Sequence, residues 1–172
     1  MLKNREIERK FLVKEIPYDL SKFGYMDIVQ GYKDGTFDNE YVYRLRQVLY
    51  FTEEGIFDKI KYIQTIKGIS PKDRAEYEIE IDHDAFNTMW KFCDKSLSKK
   101  RYEFKTRELE NSIGERVRYT LELDIYKHDL AGSIVAEVEF NSVEDCDSYS
   151  PETWFGDEIT DKVEFSNYNM AK

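Results

Sequence analysis

The stretch RVRYTLELD, residues 116–124, alternates charged or polar with apolar side chains almost throughout. Arg116, Arg118, Thr120, Glu122 and Asp124 share one parity; Val117, Tyr119, Leu121, Leu123 and Ile125 share the other. A period of two marks an extended strand, whose successive side chains point to opposite faces. The pattern recurs along the chain. Glu6, Glu8 and Lys10 alternate in EIERK, with Ile7 and then Phe11 on the other face. Arg44 and Arg46 flank Leu45, and Thr65 and Lys67 flank Ile66. Glu76, Glu78 and Glu80 alternate with Tyr77, Ile79 and Ile81. Arg101, Glu103 and Lys105 line up, and Glu137 and Glu139 alternate with Ala136, Val138 and Phe140.

A polar strand face is ordinarily a solvated one. Here ExE and RxR pairs return on strand after strand, which a face mixed for solubility does not require. Candidate strands fall at Glu6–Val13, Asp27–Tyr32, Tyr41–Phe51, Lys59–Ile66, Arg74–Ile81, Lys100–Arg107, Glu115–Tyr126 and Ser133–Val143. DGTFDN and TEEG read as connections, the second as a hairpin turn. One clear helix follows an Asp82 N-cap, with Phe86, Met89, Trp90, Cys93 and Leu97 at helical spacing. Shorter helical pieces are expected at Asp19–Gly24, Ser142–Ser148 and Pro151–Phe155. His83 reads as an exposed residue at the helix start. Such a series of strands predicts a mainly β fold with flanking helices (α+β): a closed antiparallel eight-stranded β-barrel over residues 1–172 as one domain.

Closure puts one face inside. With the apolar faces outward under helices, the lumen holds Glu6, Glu8, Glu76, Glu78, Glu80, Glu122, Asp124, Glu137 and Glu139. It also holds Lys10, Arg44, Arg46, Lys67, Arg101 and Arg118. A charged interior costs stability, because ions lose hydration and must be paired or kept wet. It therefore reads as a functional cavity. Arg forks and Lys point charges suit phosphate oxygens. Carboxylates cannot touch phosphate directly; as hard oxygen ligands they suit Mg²⁺ or Mn²⁺ bridging to it.

The net charge of −9 argues against a nucleic-acid partner or an anionic membrane. No apolar run approaches the roughly 18 residues of a membrane span, and MLKNREIE has no apolar signal region. Cys93 and Cys146 form neither a disulfide framework nor a metal knuckle, so a reducing cytoplasmic setting is expected. With only His83 and His128, a His-ligated zinc site or a Ser-His-Asp triad is disfavoured.

At this point the chain resembles the CYTH superfamily, the triphosphate tunnel metalloenzymes. The N-terminal ExExK stands as Glu6, Glu8 and Lys10 in EIERKFLV. QGY (30–32), RLR (44–46), TIKG (65–68), EYEIEI (76–81), KKRY (99–102), LELD (121–124), AEVEF (136–140) and PETWFGDEIT (151–160) follow in the family's order. The resemblance implies a barrel tunnel, a linear triphosphate substrate and one or two divalent cations. It implies that Glu6, Glu8 and Glu139 hold the metal orienting the triphosphate. Asp124 and Glu137 serve a second metal that activates water. Lys10, Arg44, Arg46, Lys67, Arg101 and Arg118 grip phosphate. The resulting catalytic set is Glu6, Glu8, Lys10, Lys67 and Glu137, with Glu76, Glu78 and Glu122 as supporting acids. The 46–63 hairpin is long, and DKVEFSNYNMAK after DEIT departs from the family pattern.

The leading expectation is a metal-dependent hydrolase of inorganic tripolyphosphate or a related triphosphate. Alternatives are a nucleoside triphosphatase or class IV adenylate cyclase, and a non-catalytic triphosphate- or nucleotide-binding module. A homodimer is left open. A cavity blocked at one end by residues 158–172 would favour a compact substrate over a nucleotide.

Overall fold

The computed structural model describes residues 5–35, 40–70 and 72–172. Residues 36–39, most of the DGTFDN connection, lie outside the described residues. The long strands are β1 (Glu6–Val13), β2 (Tyr25–Tyr32), β3 (Tyr41–Phe51) and β4 (Phe57–Gly68). A two-residue β5 (Asp73–Arg74) precedes β6 (Glu76–Ile81), and β7 spans Lys95–Lys105. β8 (Leu109–Glu110) and β9 (Arg116–Val117) form a small separate hairpin. β10 (Thr120–Tyr126), β11 (Ile134–Glu139) and β12 (Phe155–Glu158) complete the set.

The main sheet runs β12-β1-β11-β10-β7-β2-β3-β4-β6, with neighbours antiparallel. It curls until β5, next to β6 in the chain, pairs with the start of β1 through Glu6↔Arg74 and Ile7↔Asp73. β12 pairs with the far end of β1. The expected barrel is therefore present as a nearly closed one, its seam held by two short ladders. The β3–β4 hairpin turns at TEEG, where the Thr52 N–H donates to the Ile56 carbonyl.

The apolar faces do point outward, with unequal cover. Ile7, Phe11, Leu121, Leu123, Ala136 and Val138 are buried in one cluster with Cys146 and Tyr149. Helix α2 (Val143–Ser148), capped by Ser142, packs on β1 in that half. On β4 and β6 the same parity leaves Ile66, Tyr77 and Ile79 exposed, because the helical cover reaches β4 only around Tyr62, where Phe86 packs. A second apolar cluster of Tyr32, Leu97, Tyr126, Val135 and Ile159 uses positions on the charged parity. Phe165, Tyr168 and Met170 of the C-terminal segment pack against it. Fully burying such a side chain is worth about 1.5–3 kcal/mol, which helps offset the charged interior.

Helix α1 is shorter than its spacing predicts. Asp82 does cap it, accepting from the Ala85 N–H at 2.8 Å, but it spans only His83–Trp90. Cys93 falls in the following turn and Leu97 on β7. The expected helix at Pro151–Phe155 is instead a turn leading into β12, because Phe155 joins the β1 ladder opposite Val13. Trp90 and Cys93 press so closely on β2 that a Cβ at Gly31 would lie 2.8 Å from the indole ring. This explains the glycine of QGY. No helix among the described residues is long and apolar enough to cross a membrane.

Candidate active site

Register sets the site. β1 offers Glu6, Glu8 and Lys10, and β11 places Glu139 opposite Glu8 and Glu137 opposite Lys10. β10 sets Glu122 opposite Glu137, and β7 sets Arg101 opposite Asp124. Across the barrel, β3, β4 and β6 align Arg44 with Thr65 and Thr65 with Glu78, while Lys67 faces Glu76. The inward parity of each strand thus builds a belt of alternating charge.

The belt is knit by ion pairs. Lys10 Nζ lies 2.6 Å from Glu137 and 3.1 Å from Glu8. Arg101 holds both Asp124 oxygens at 2.6 Å, reaches Glu137 at 2.9 Å and also pairs with Glu122. Arg44 Nη2 donates to Thr65, Glu76 and Glu78 at 3.0, 2.9 and 2.8 Å. Lys67 Nζ lies 2.6 Å from Glu6 and 3.6 Å from Glu76. Burial opposes the charge on Glu76, yet Lys67 and Arg44 hold its carboxyl down to about 2. Glu122 is driven the other way, to about 8, by burial and by Glu137, Glu139 and Asp124, against the pull of Arg101.

Arg46 differs from its neighbours. No ion pair to it occurs among the described residues, and its buried Nε has no hydrogen-bond partner. Burial, then the charges of Arg44 and Arg101, push its pKa below the usual guanidinium value. Glu78 and Glu76 offset this only in part, so Arg46 is a guanidinium pressed by neighbouring cations and without a direct ion pair among the described residues.

Two cavities share Lys10, Arg44, Lys67 and Asn167. The smaller, about 130 Å³, is the charged one. The acids Glu6, Glu76, Glu78, Glu122, Glu137 and Glu139 and the bases Lys10, Arg44, Arg46, Lys67 and Arg101 line it. The larger, about 310 Å³, is walled by Tyr32, Val42 and Ile69 together with Ile159, Val163, Phe165 and Tyr168. The C-terminal segment therefore packs onto inward-facing residues at one end of the barrel, where it also walls the larger chamber.

Four residues expected in the lumen do not face the charged cavity. Arg118 is exposed in the break between β9 and β10, where the alternating stretch leaves the ladder. Asp124 is fully buried, both oxygens taken by Arg101 and one also by Lys99 at 2.5 Å. Glu8 is buried against Arg74 and Lys10. Glu80 is exposed and pairs with Lys61 at 2.9 Å, outside the charged cavity. Among the described residues, no three His, Cys, Asp or Glu side chains converge as a ready-made cation cage. The reason lies in the pairing, since Lys and Arg already engage these carboxylates.

The structure adds two cations that the sequence reading passed over. Lys99 is completely buried, and burial followed by Arg101 lowers its pKa to about 8. Arg74 pairs with both Glu6, at 2.7 Å, and Glu8. Parity contained the signal: Lys99 alternates with Arg101, and Arg74 with Glu76, one residue before or at the edge of each assumed strand.

An inorganic triphosphatase of Nitrosomonas europaea is 30% identical to this chain over 167 residues, 96% of each protein. The chain belongs to the CYTH superfamily. The crystal structure of the inorganic triphosphatase NE1496 superposes with a TM-score of 0.60 at 29% identity, covering 96% of this chain and 93% of that one. A structure described as the hypothetical protein NE1496 gives the same score at 30% identity, covering 96% of both chains. No protein-family model matches the chain. In this CYTH barrel Arg74, outside the ExExK motif, contacts both of its glutamates.

Proposed function

We propose that this chain hydrolyses an anhydride bond of a linear triphosphate, inorganic tripolyphosphate among them, with Mg²⁺ or Mn²⁺ bound by tunnel carboxylates. The observation that carries the reading is Arg46, a guanidinium facing the charged cavity among other cations, without an ion pair among the described residues. Phosphate oxygens would complete that site. Likeness to the inorganic triphosphatase over 96% of the chain supports the same substrate class.

The acids fit a divalent cation. Glu8 stands in register with Glu139, and Glu122 with Glu137. Like charges directly opposite destabilise a ladder, and a hard cation between oxygen ligands relieves them. Glu6, Glu137 and Glu139 border the cavity where such an ion would sit, with Glu8 behind them and Glu122 alongside. When bound, the ion would neutralise phosphate charge and supply a more acidic water. Arg44, Arg46, Lys67 and Arg101 would orient the triphosphate and stabilise charge on the phosphoryl group in flight. Lys10, between Glu8 and Glu137, would hold those acids and face the same phosphates. Asp124 would act through Lys99 and Arg101 rather than as a ligand. The unpaired Cys93 and Cys146 support work in a reducing, cytoplasmic compartment.

The larger chamber favours a second reading, a nucleotide or other organic triphosphate. Its wall is rich in aromatic and aliphatic side chains, and it opens onto Lys10, Arg44 and Lys67. Phosphate release from tripolyphosphate, ATP, GTP and thiamine triphosphate, each with Mg²⁺ or Mn²⁺, tests both readings. Turnover of tripolyphosphate alone supports the first, and preference for an organic triphosphate supports the second. No release from any of them, with tight binding retained, would make the chain a sequestering module. A parallel assay for cyclic AMP and pyrophosphate separates a cyclase.

A further inference from the structure

β5 is only two residues long, yet it closes the barrel against the start of β1. Arg74 stands on it directly opposite Glu6. Its side chain is nearly buried, and Nη2 reaches Glu6 Oε2 at 2.7 Å and also Glu8 Oε1. Nη1 donates to the Ser70 carbonyl at 3.3 Å, tying the guanidinium to its own turn. That turn is fixed to β1 by a bond from the Glu8 N–H to the Lys72 carbonyl at 3.1 Å. One nitrogen, Nη2, therefore sits between two carboxylates that alternate along a single strand while Nη1 holds the turn, and a lysine would have a single nitrogen for both tasks.

Room for this fork comes from the neighbouring strand. The Gly68 N–H donates to the Ala75 carbonyl at 2.8 Å, drawing β4 and β5 together. A Cβ at Gly68 would lie 3.3 Å from the Cβ of Arg74 and 3.5 Å from the Ala75 nitrogen. The contact with Arg74 is close enough to force a shift of a few tenths of an ångström, whereas that with Ala75 is ordinary packing. The glycine of TIKG is thus where Arg74 is let in.

Resting on the metal-dependent reading above, we infer that Arg74 is a positioning residue: it sets where the Glu6 and Glu8 carboxylates lie for a divalent cation, and Gly68 sets where Arg74 lies. A hydrogen-bonding partner behind a metal ligand orients that ligand, and losing one typically costs 10–100-fold in metal affinity or activity. Arg74 borders the larger chamber but not the charged cavity that Arg44, Arg46 and Arg101 face. Its effect should therefore fall on the acids rather than on substrate capture.

The test compares wild type, Arg74→Lys and Gly68→Ala. It reads Mn²⁺ affinity by calorimetry without substrate, thermal unfolding, and kcat and KM for tripolyphosphate across a Mn²⁺ titration. For Arg74→Lys the expected result is Mn²⁺ affinity and kcat each lowered about 10–100-fold, with KM within about twofold and the melting temperature little changed. Gly68→Ala should shift the same quantities in the same direction by less. A raised KM with unchanged kcat would make Arg74 part of the substrate grip and overturn the assignment. Lost thermal stability with normal Mn²⁺ affinity and kcat would make it merely structural and also overturn it. A wild-type protein that binds no Mn²⁺ overturns the metal-dependent reading and the inference together. A wild type that binds Mn²⁺ and turns over, matched by Arg74→Lys, overturns the inference alone.

Discussion

Glu8 and Glu139 form one register pair across the β1–β11 ladder, two carboxylates set directly opposite. Glu122 and Glu137 repeat the arrangement one ladder over. A divalent ion should therefore stabilise the barrel as well as serve its chemistry. At 100 times its dissociation constant, a ligand bound only by the folded state adds about 2.7 kcal/mol. For a chain of this size that is a rise of roughly 5–10 °C in melting temperature. Scanning unfolding with Mg²⁺ or Mn²⁺ against EDTA measures it, and superimposable curves would speak against a cation site among these acids.

Arg44 and Arg46, paired as RxR, should respond differently to mutation. Arg44→Ala strips a buried cation from Glu76, Glu78 and Thr65. Breaking such a pair costs about 3–5 kcal/mol. Arg46→Ala removes a cation pressed by Arg44 and Arg101, so stability should hold or rise while KM for the triphosphate rises. Unfolding curves beside steady-state kinetics separate the two, and equal destabilisation would discount the special status of Arg46.

Asp124 gives a test of structure against motif. Asp124→Asn should destabilise by several kcal/mol, because Lys99 and Arg101 lose the charge they share in a dry site. Mn²⁺ affinity of the folded protein should change little. A large loss of Mn²⁺ affinity at unchanged stability would return Asp124 to the list of ligands.

Both thiols should be inert in the native protein. Burial, then Asp94, raises Cys93 to about 11, and burial raises Cys146 as well. A raised pKa leaves little thiolate at pH 8, and the thiolate is the nucleophile. Iodoacetamide at pH 8 followed by mass spectrometry should find both unmodified when folded and both modified in urea. Rapid native alkylation of Cys93 would show that its surroundings open in solution.

Much of this was legible in the residues. The alternation of Glu6, Glu8 and Lys10, of Arg44 and Arg46, and of Glu137 and Glu139 assigns each strand its inward face, because a strand's side chains have period two. The same rule went wrong where the period was borrowed by another element. Leu97 fits the helical spacing after Trp90 yet lies on β7, since a short apolar run satisfies both periods at once. Arg118 keeps strand parity with Glu122, but the ladder pauses at residues 118–119 and the side chain is exposed. Parity says which side chains could share a face; it does not say that backbone pairing continues.

Sequence by itself determined that charged faces and apolar faces would separate, and, with closure, that a polar lumen would result. That outcome needs only local alternation and the cost of leaving strand edges unpaired. Tertiary structure decided which charges meet. Arg74 reaches Glu8 across 66 positions through a two-residue strand too short to carry any period. The C-terminal segment became a chamber wall because Ile159, Phe165 and Tyr168 pack at one end of the barrel. Such meetings depend on how far the sheet curls and where its seam falls. Those are properties of the closed assembly of strands, and no single strand encodes them.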